Sequence, residues 1–153
     1  MKVLIKKVSP LAQIPKYATS GAAGFDLVST ESIILWPGET RAINTGLMFE
    51  IPPGFEMQIR PRSGLSLKTM LRVANSPGTV DSDFRGQVAV ILTHSGTRSY
   101  NANAEANGPA EIIKVGDRIA QGVIVPVLQA QFEEVTELSD TERGTGGFGS
   151  TGK

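Results

Sequence analysis

Leu47-Met-Phe-Glu-Ile-Pro-Pro-Gly54-Phe-Glu-Met-Gln-Ile-Arg60 places an apolar run, a Pro-Pro-Gly stop and an alternating run end to end. In the second run Phe55, Met57 and Ile59 fall on one side and Glu56, Gln58 and Arg60 on the other. That period of two belongs to a half-buried strand. Pro52-Pro53-Gly54 supplies the turn, proline by fixing φ and glycine by tolerating positive φ. The same pattern recurs outward in both directions. Val3 to Val8, Ile33-Ile34-Leu35 (stopped by Trp36-Pro37-Gly38), Gln87 to Leu92, Glu111 to Lys114, Gln121 to Leu128 and Gln131 to Val135 all read as short strands. One helical start stands out, Ser63-Gly-Leu-Ser-Leu-Lys68, with Ser63 placed to cap one or two turns. Thr93 to Pro109, rich in Ser, Asn, Ala and Gly, reads as a long polar loop. There is no internal repeat and no linker. The expected fold is all-β: a β-sandwich, jelly roll or small barrel.

A chain of 153 residues suits one domain. Fifteen basic and fifteen acidic residues cancel, which removes the electrostatic footprint needed to track a nucleic-acid polymer or an anionic membrane. A small polyanion still fits, since one pocket needs only a few cations. No cysteine is present, so disulfides and thiolate metal sites are excluded. The opening Met1 to Lys7 has too short an apolar run for a signal peptide, and no stretch reaches membrane-spanning length. These features predict a cytoplasmic protein.

Chemistry-bearing residues gather in five places. The last eleven, Arg143-Gly-Thr-Gly-Gly-Phe-Gly-Ser-Thr-Gly-Lys153, hold five glycines, two cations, three hydroxyls and one ring. Glycine lets backbone N–H groups form a phosphate nest, and Arg143 adds a charged fork. Such a segment reads either as a solvated tail or as a lid ordered by an anionic ligand. Within the cluster Asn75-Ser-Pro-Gly78-Thr-Val-Asp81-Ser-Asp-Phe84-Arg-Gly86, Ser76-Pro77-Gly78 between Leu71-Arg-Val-Ala74 and Thr79-Val80 reads as a tight hairpin whose tip can read a base edge. Asp81 beyond it is placed to orient and deprotonate a water, and Asp83 and Arg85 are candidates for an ion pair. Pro61-Arg62-Ser63-Gly64 sets a cation and a hydroxyl where a helix opens. Asp26, after a Gly/Ala turn, is either a turn aspartate or, beside a triphosphate, a holder of hydrated Mg²⁺. Gln121 enters a strand after Val115-Gly-Asp-Arg-Ile-Ala120 and can donate to a phosphate. His94 has no companion at metal-ligand spacing and reads as a loop or packing histidine.

In this order, Ala23-Gly-Phe-Asp26-Leu, Pro61-Arg-Ser-Gly-Leu65, Gly78-Thr-Val-Asp-Ser-Asp-Phe-Arg-Gly86, Gly116-Asp-Arg-Ile-Ala-Gln121 and Arg143-Gly-Thr-Gly-Gly-Phe-Gly-Ser150 resemble the five motifs of the trimeric dUTPases. The resemblance implies a jelly-roll homotrimer with three active sites at subunit junctions. It divides the chain into a β domain over 1–142 and a flexible glycine-rich arm over 143–153 that closes over a neighbour's site. The implied activity is hydrolysis of dUTP to dUMP and pyrophosphate with Mg²⁺, which keeps uracil out of DNA and supplies dUMP for thymidylate synthesis. Carried over residue by residue, Asp81 is the general base. Asn75, Gly78 and Val80 read uracil, and Phe84 lies under the deoxyribose. Asp26 holds Mg²⁺ through water. Arg62, Ser63, Gly64 and Gln121 position the phosphates. Arg143, Gly149, Ser150 and Thr151 clamp the outer phosphates while Phe148 covers the base. Phe84 stands where the family usually has tyrosine, and the Thr93 to Pro109 loop is longer than usual. A related dCTP deaminase, or a binding scaffold acting on a partner protein, are the competing readings.

Overall fold

Alternation is met most fully in Val88–His94, where every second side chain is buried. That strand lies centrally in the first of two antiparallel four-stranded sheets of the computed structural model, which describes residues 1–96 and 109–147. Its order is β1 (Leu4–Lys7), β4 (Thr40–Glu50), β8 (Val88–His94), β6 (Leu71–Val73). The second runs β2 (Phe25–Val28), β10 (Arg118–Pro126), β5 (Phe55–Arg60), β7 (Gly78–Val80). A two-stranded ladder pairs β3 (Ile33–Leu35) with β9 (Glu111–Ile113), and α1 (Ser63–Lys68) is the one helix among the described residues. Leu27, Ile43, Leu47, Met57, Val90, Leu92 and Ile119 interleave between the sheets to form one core. The architecture is a jelly-roll-like β-sandwich.

In β5, Met57 and Ile59 are buried and Phe55 half-buried, as the alternation predicts. The preceding apolar run belongs to a longer strand that begins at Thr40. β4 survives an interruption there because its pairing with β8 jumps from Asn44↔Ala89 to Leu47↔Val88. Gly46, at φ 68°, carries that bulge, and Thr45 Oγ1 donates to the Val88 carbonyl at 2.6 Å. Buried polar groups are otherwise paired too. His94 Nε2 is 2.9 Å from the Pro109 carbonyl, while Nδ1 accepts from the Gly96 N–H at 3.1 Å. Those two bonds fix the Nε2–H tautomer and make His94 a packing residue.

Several expectations need correction. Thr93 and His94 extend β8 and are not loop, because Thr93 pairs with both Thr40 and Arg72. The rest of that segment, 97–108, lies outside the described residues. Gln131 to Val135 forms no strand: Phe132 is 97% exposed, and the stretch pairs with no strand among the described residues. The last sheet strand starts at Arg118 and ends at Pro126, not at Leu128. Residues 71–80 are not a two-stranded hairpin. β6 pairs with β8 in one sheet and β7 with β5 in the other, so the chain crosses the sandwich at 74–77. Both flanking strands turn apolar residues inward, and the two sheets meet that demand from opposite sides. The Ser76–Pro77 peptide within the crossing is cis.

Candidate functional site

Register brings the first cluster together. Gln121 on β10 lies opposite Asp26 on β2 and opposite Arg60 at the end of β5, so the next turn carries Arg62 toward both. Arg62 Nε donates to Asp26 Oδ1 at 2.6 Å, and Arg118 Nη1 donates to Oδ2 at 3.3 Å. Arg62 Nη1 also reaches the Arg118 carbonyl at 3.3 Å. Lys16, Gly24, Asp26, Arg62, Gly64 and Arg118, with Ser63 and Gln121, line a recess of about 270 Å³. Three cations face one carboxylate there, an excess that favours an anion.

The smaller residues shape the recess. A Cβ on Gly24 would lie 2.8 Å from Gln121 Oε1, so glycine is what lets the amide close in. Gln121 Nε2 donates to the Pro61 carbonyl at 2.8 Å, which leaves one amide hydrogen for a ligand. Ser63 is not the helix cap. Arg62 occupies that position, without a side-chain cap bond, and Ser63 is the first helical residue. Its exposed hydroxyl therefore faces the recess rather than the helix backbone.

Asp81 sits elsewhere. Val80 pairs with Met57, which puts Asp81 beside Glu56 at the opposite end of β5 from Arg60. Its recess, about 530 Å³, is lined by Gly54, Phe55, Glu56, Asp83, Val127 and Gln129 among others. The carboxylate is exposed and has no hydrogen-bond or ion-pair partner among the described residues. Four residues of strand rise and three strand spacings separate Asp81 from Asp26, about 20 Å within one chain. The two carboxylates do not share a site on a single subunit.

Asn75 is exposed at the crossing, and its side chain packs on Gly78, where a Cβ would lie 3.1 Å from Asn75 Nδ2. Val80 is buried in the core, so only its backbone is available to a ligand. The Phe84 ring is 44% exposed and lies over Gly86, where a Cβ would come within 2.4 Å of Cζ. Asp83 and Arg85 do not pair; Arg85 Nη1 donates to the Ser82 carbonyl at 2.6 Å and the Phe84 carbonyl at 3.1 Å, stapling the turn. Arg143 Nε donates to the Gly146 carbonyl at 2.8 Å, which folds the start of the tail onto itself. Phe148, Gly149, Ser150 and Thr151 lie outside the described residues. Among the described residues no three carboxylate, imidazole or thiolate groups converge on a metal position.

The family profile described as dUTPase matches residues 11–152. The chain belongs to the dUTPase family. A deoxyuridine 5'-triphosphate nucleotidohydrolase of Nautilia profundicola is 54% identical over 153 residues and the full length of both chains. One from Wolinella succinogenes is 48% identical, covering all of this chain and 95% of that one. Among solved structures, the Staphylococcus bacteriophage 80alpha dUTPase with dUPNHPP superposes with a TM-score of 0.86 at 29% identity, over 99% of each chain. A mutant dUTPase from phage phi11 of S. aureus, described with a structural Mg(II) ion, superposes with a TM-score of 0.81 at 25% identity, covering 92% of this chain and 100% of that one.

Two residues of the recess are given no role by their sequence surroundings. Lys16 belongs to no periodic pattern. Arg118 reads there as part of a turn, and only the pairing register shows which way it faces.

Proposed function

We propose that this chain hydrolyses dUTP to dUMP and pyrophosphate at sites completed by neighbouring subunits of a homotrimer. The family supports the reaction, and one observation carries the shared site: the candidate base and the cationic recess lie about 20 Å apart on one chain. A nucleotide that touches both must therefore bridge two copies. In this reading the Asp26–Arg62–Gln121 recess of one subunit takes the phosphates, with the Ser63 hydroxyl and the Gly64 backbone facing them. Asn75 and the backbone of Gly78 and Val80 on a second subunit read uracil, while the Phe84 ring lies under the deoxyribose. The tail from Arg143 onward, a lid segment distinct from the domain over 1–142, closes from a third.

Asp81 accepts a proton from water, whose oxygen attacks the α-phosphorus. The bond from that phosphorus to the bridging oxygen breaks, and pyrophosphate leaves in line. An exposed carboxylate, unpartnered among the described residues, is available for that proton. The donor set fits Mg²⁺ that arrives with the triphosphate, because such ions are usually held by one or two carboxylates, waters and substrate phosphates. Asp26, a third exposed on its side chain, has lone pairs left for a metal-bound water. When bound, Mg²⁺ would neutralise charge on the phosphates. No helix among the described residues is long and apolar enough to cross a membrane. Together with the cysteine-free composition this supports work in the cytoplasm, where dUTP removal keeps uracil out of DNA and supplies dUMP.

Pyrophosphate release measured across dUTP and the four standard deoxynucleotides, alongside sedimentation to obtain the subunit count, tests the reading. dUTP is the expected substrate and three the expected number. Activity in a stable monomer would overturn the shared site.

A further inference from the structure

β10 carries an irregularity that turns one side chain around. Arg118 is opposite Val28, Ala120 is opposite Leu27, and Gln121 is opposite Asp26, so three residues of β10 face two of β2. Ile119 and Ala120 are buried in succession, as the extra residue requires. In an unbroken strand Arg118 would share the inward face of Ala120. The bulge moves it to the outward face of Gln121 and Asp26, the face that forms the cationic recess. Bulges next to active sites commonly re-aim a side chain in this way.

Resting on the proposed dUTP site, we infer that Arg118 is a further phosphate-binding residue, held beside Arg62 by a shared carboxylate, Asp26. The geometry supports this from three sides. Each oxygen of Asp26 takes a guanidinium, Oδ1 from Arg62 at 2.6 Å and Oδ2 from Arg118 at 3.3 Å. The Arg118 backbone carbonyl takes a second bond from Arg62 at 3.3 Å, which anchors the Arg62 side chain to the strand that carries Arg118. Arg118 keeps a 61% exposed side chain with N–H groups uncommitted among the described residues, and it lines the same recess as Ser63, Gly64 and Gln121. A guanidinium offers five donors in a rigid fork, and Asp26 takes only one from Arg118. Asp26 thus acts as a positioning residue for two cations, and that role does not need a metal.

The test uses the full chain and inorganic tripolyphosphate, titrated by calorimetry with EDTA present, together with steady-state hydrolysis of dUTP in Mg²⁺. Arg118→Gln should weaken tripolyphosphate binding about 10- to 100-fold, the worth of a hydrogen bond to a charged group. The KM for dUTP should rise by a similar factor with a smaller change in kcat. Arg118→Lys should recover part of the loss, since charge returns without the fork. Asp26→Asn should weaken tripolyphosphate binding even with EDTA present. Thermal midpoints near wild type would show that folding is intact, as expected for so exposed a side chain. Wild-type tripolyphosphate affinity and KM in Arg118→Gln would overturn the assignment and leave dUTP hydrolysis standing. An Asp26→Asn effect confined to Mg²⁺ would overturn the tether. If the native chain bound tripolyphosphate through Arg118 yet left dUTP intact, the activity would fall and the assignment would hold.

Discussion

Asp81 is the residue on which turnover rests in the proposed mechanism, and its surroundings suit a base: an exposed carboxylate without a guanidinium against it among the described residues. Asp81→Asn should reduce kcat about 10²- to 10⁴-fold, the range of general-base contributions, with the fold unchanged. Near-wild-type turnover in that variant would remove Asp81 from the reaction. Gly86 matters for a different reason. Its missing Cβ makes room for the Phe84 ring, 2.4 Å from where that atom would sit. Gly86→Ala should push the ring off its place and lower kcat/KM for dUTP about 10- to 100-fold, as small misplacements of positioning groups do. Progress curves on folded protein check this, and unchanged kinetics would show that the ring bears no sugar. Phe84 presents a ring face without a phenolic hydroxyl, so exclusion of UTP should persist wherever contact alone does the excluding.

At the level of elements, the two bulges divide the labour. The one in β4 is structural. Gly46 sits at φ 68°, and a methyl group added there would lie within 3.0 Å of Ala12, Ser9 and Thr30. Gly46→Ala should therefore destabilise the fold by about 2–4 kcal/mol, combining left-handed strain with overpacking. Urea denaturation reads this directly, and a loss under about 0.5 kcal/mol would show that the bulge relaxes freely. The bulge in β10 is the functional one in our inference, because it exchanges an inward arginine for an outward one. Strand existence was readable from the alternation in Phe55–Arg60 and Val88–Leu92. Strand pairing was not. Leu71–Val73 and Gly78–Val80 look like hairpin partners in sequence, yet each finds a longer neighbour in a different sheet, since burial of both apolar faces outweighs the short local turn.

For the whole molecule, the segment after Pro126 is the part that a single chain leaves unexplained. Leu128 and Phe132 are each 97% exposed and Leu138 is 87% exposed, although the core between the two sheets is buried. Ending the chain before Arg143 keeps those residues and removes only the proposed lid. That truncation should leave sedimentation unchanged while reducing dUTP turnover by at least about tenfold, as loss of charged phosphate contacts implies. Loss of assembly would instead make the tail a structural strap. A site built on subunits that read one base edge should also prefer dUTP to dCTP by about 10⁴-fold or more. Comparable turnover of the two would remove base readout by the crossing at 74–77.

The amino-acid sequence by itself determined the strand grammar, the five clusters and the charge inventory, because alternation, turn residues and side-chain chemistry are local properties. Tertiary structure alone decided that Asp81 and Asp26 stand at opposite ends of β5, that Ser63 faces outward rather than capping its helix, and that Arg118 joins Arg62. Those facts depend on register between strands remote in sequence, and a shift of one residue in pairing reverses the face on which a side chain lies.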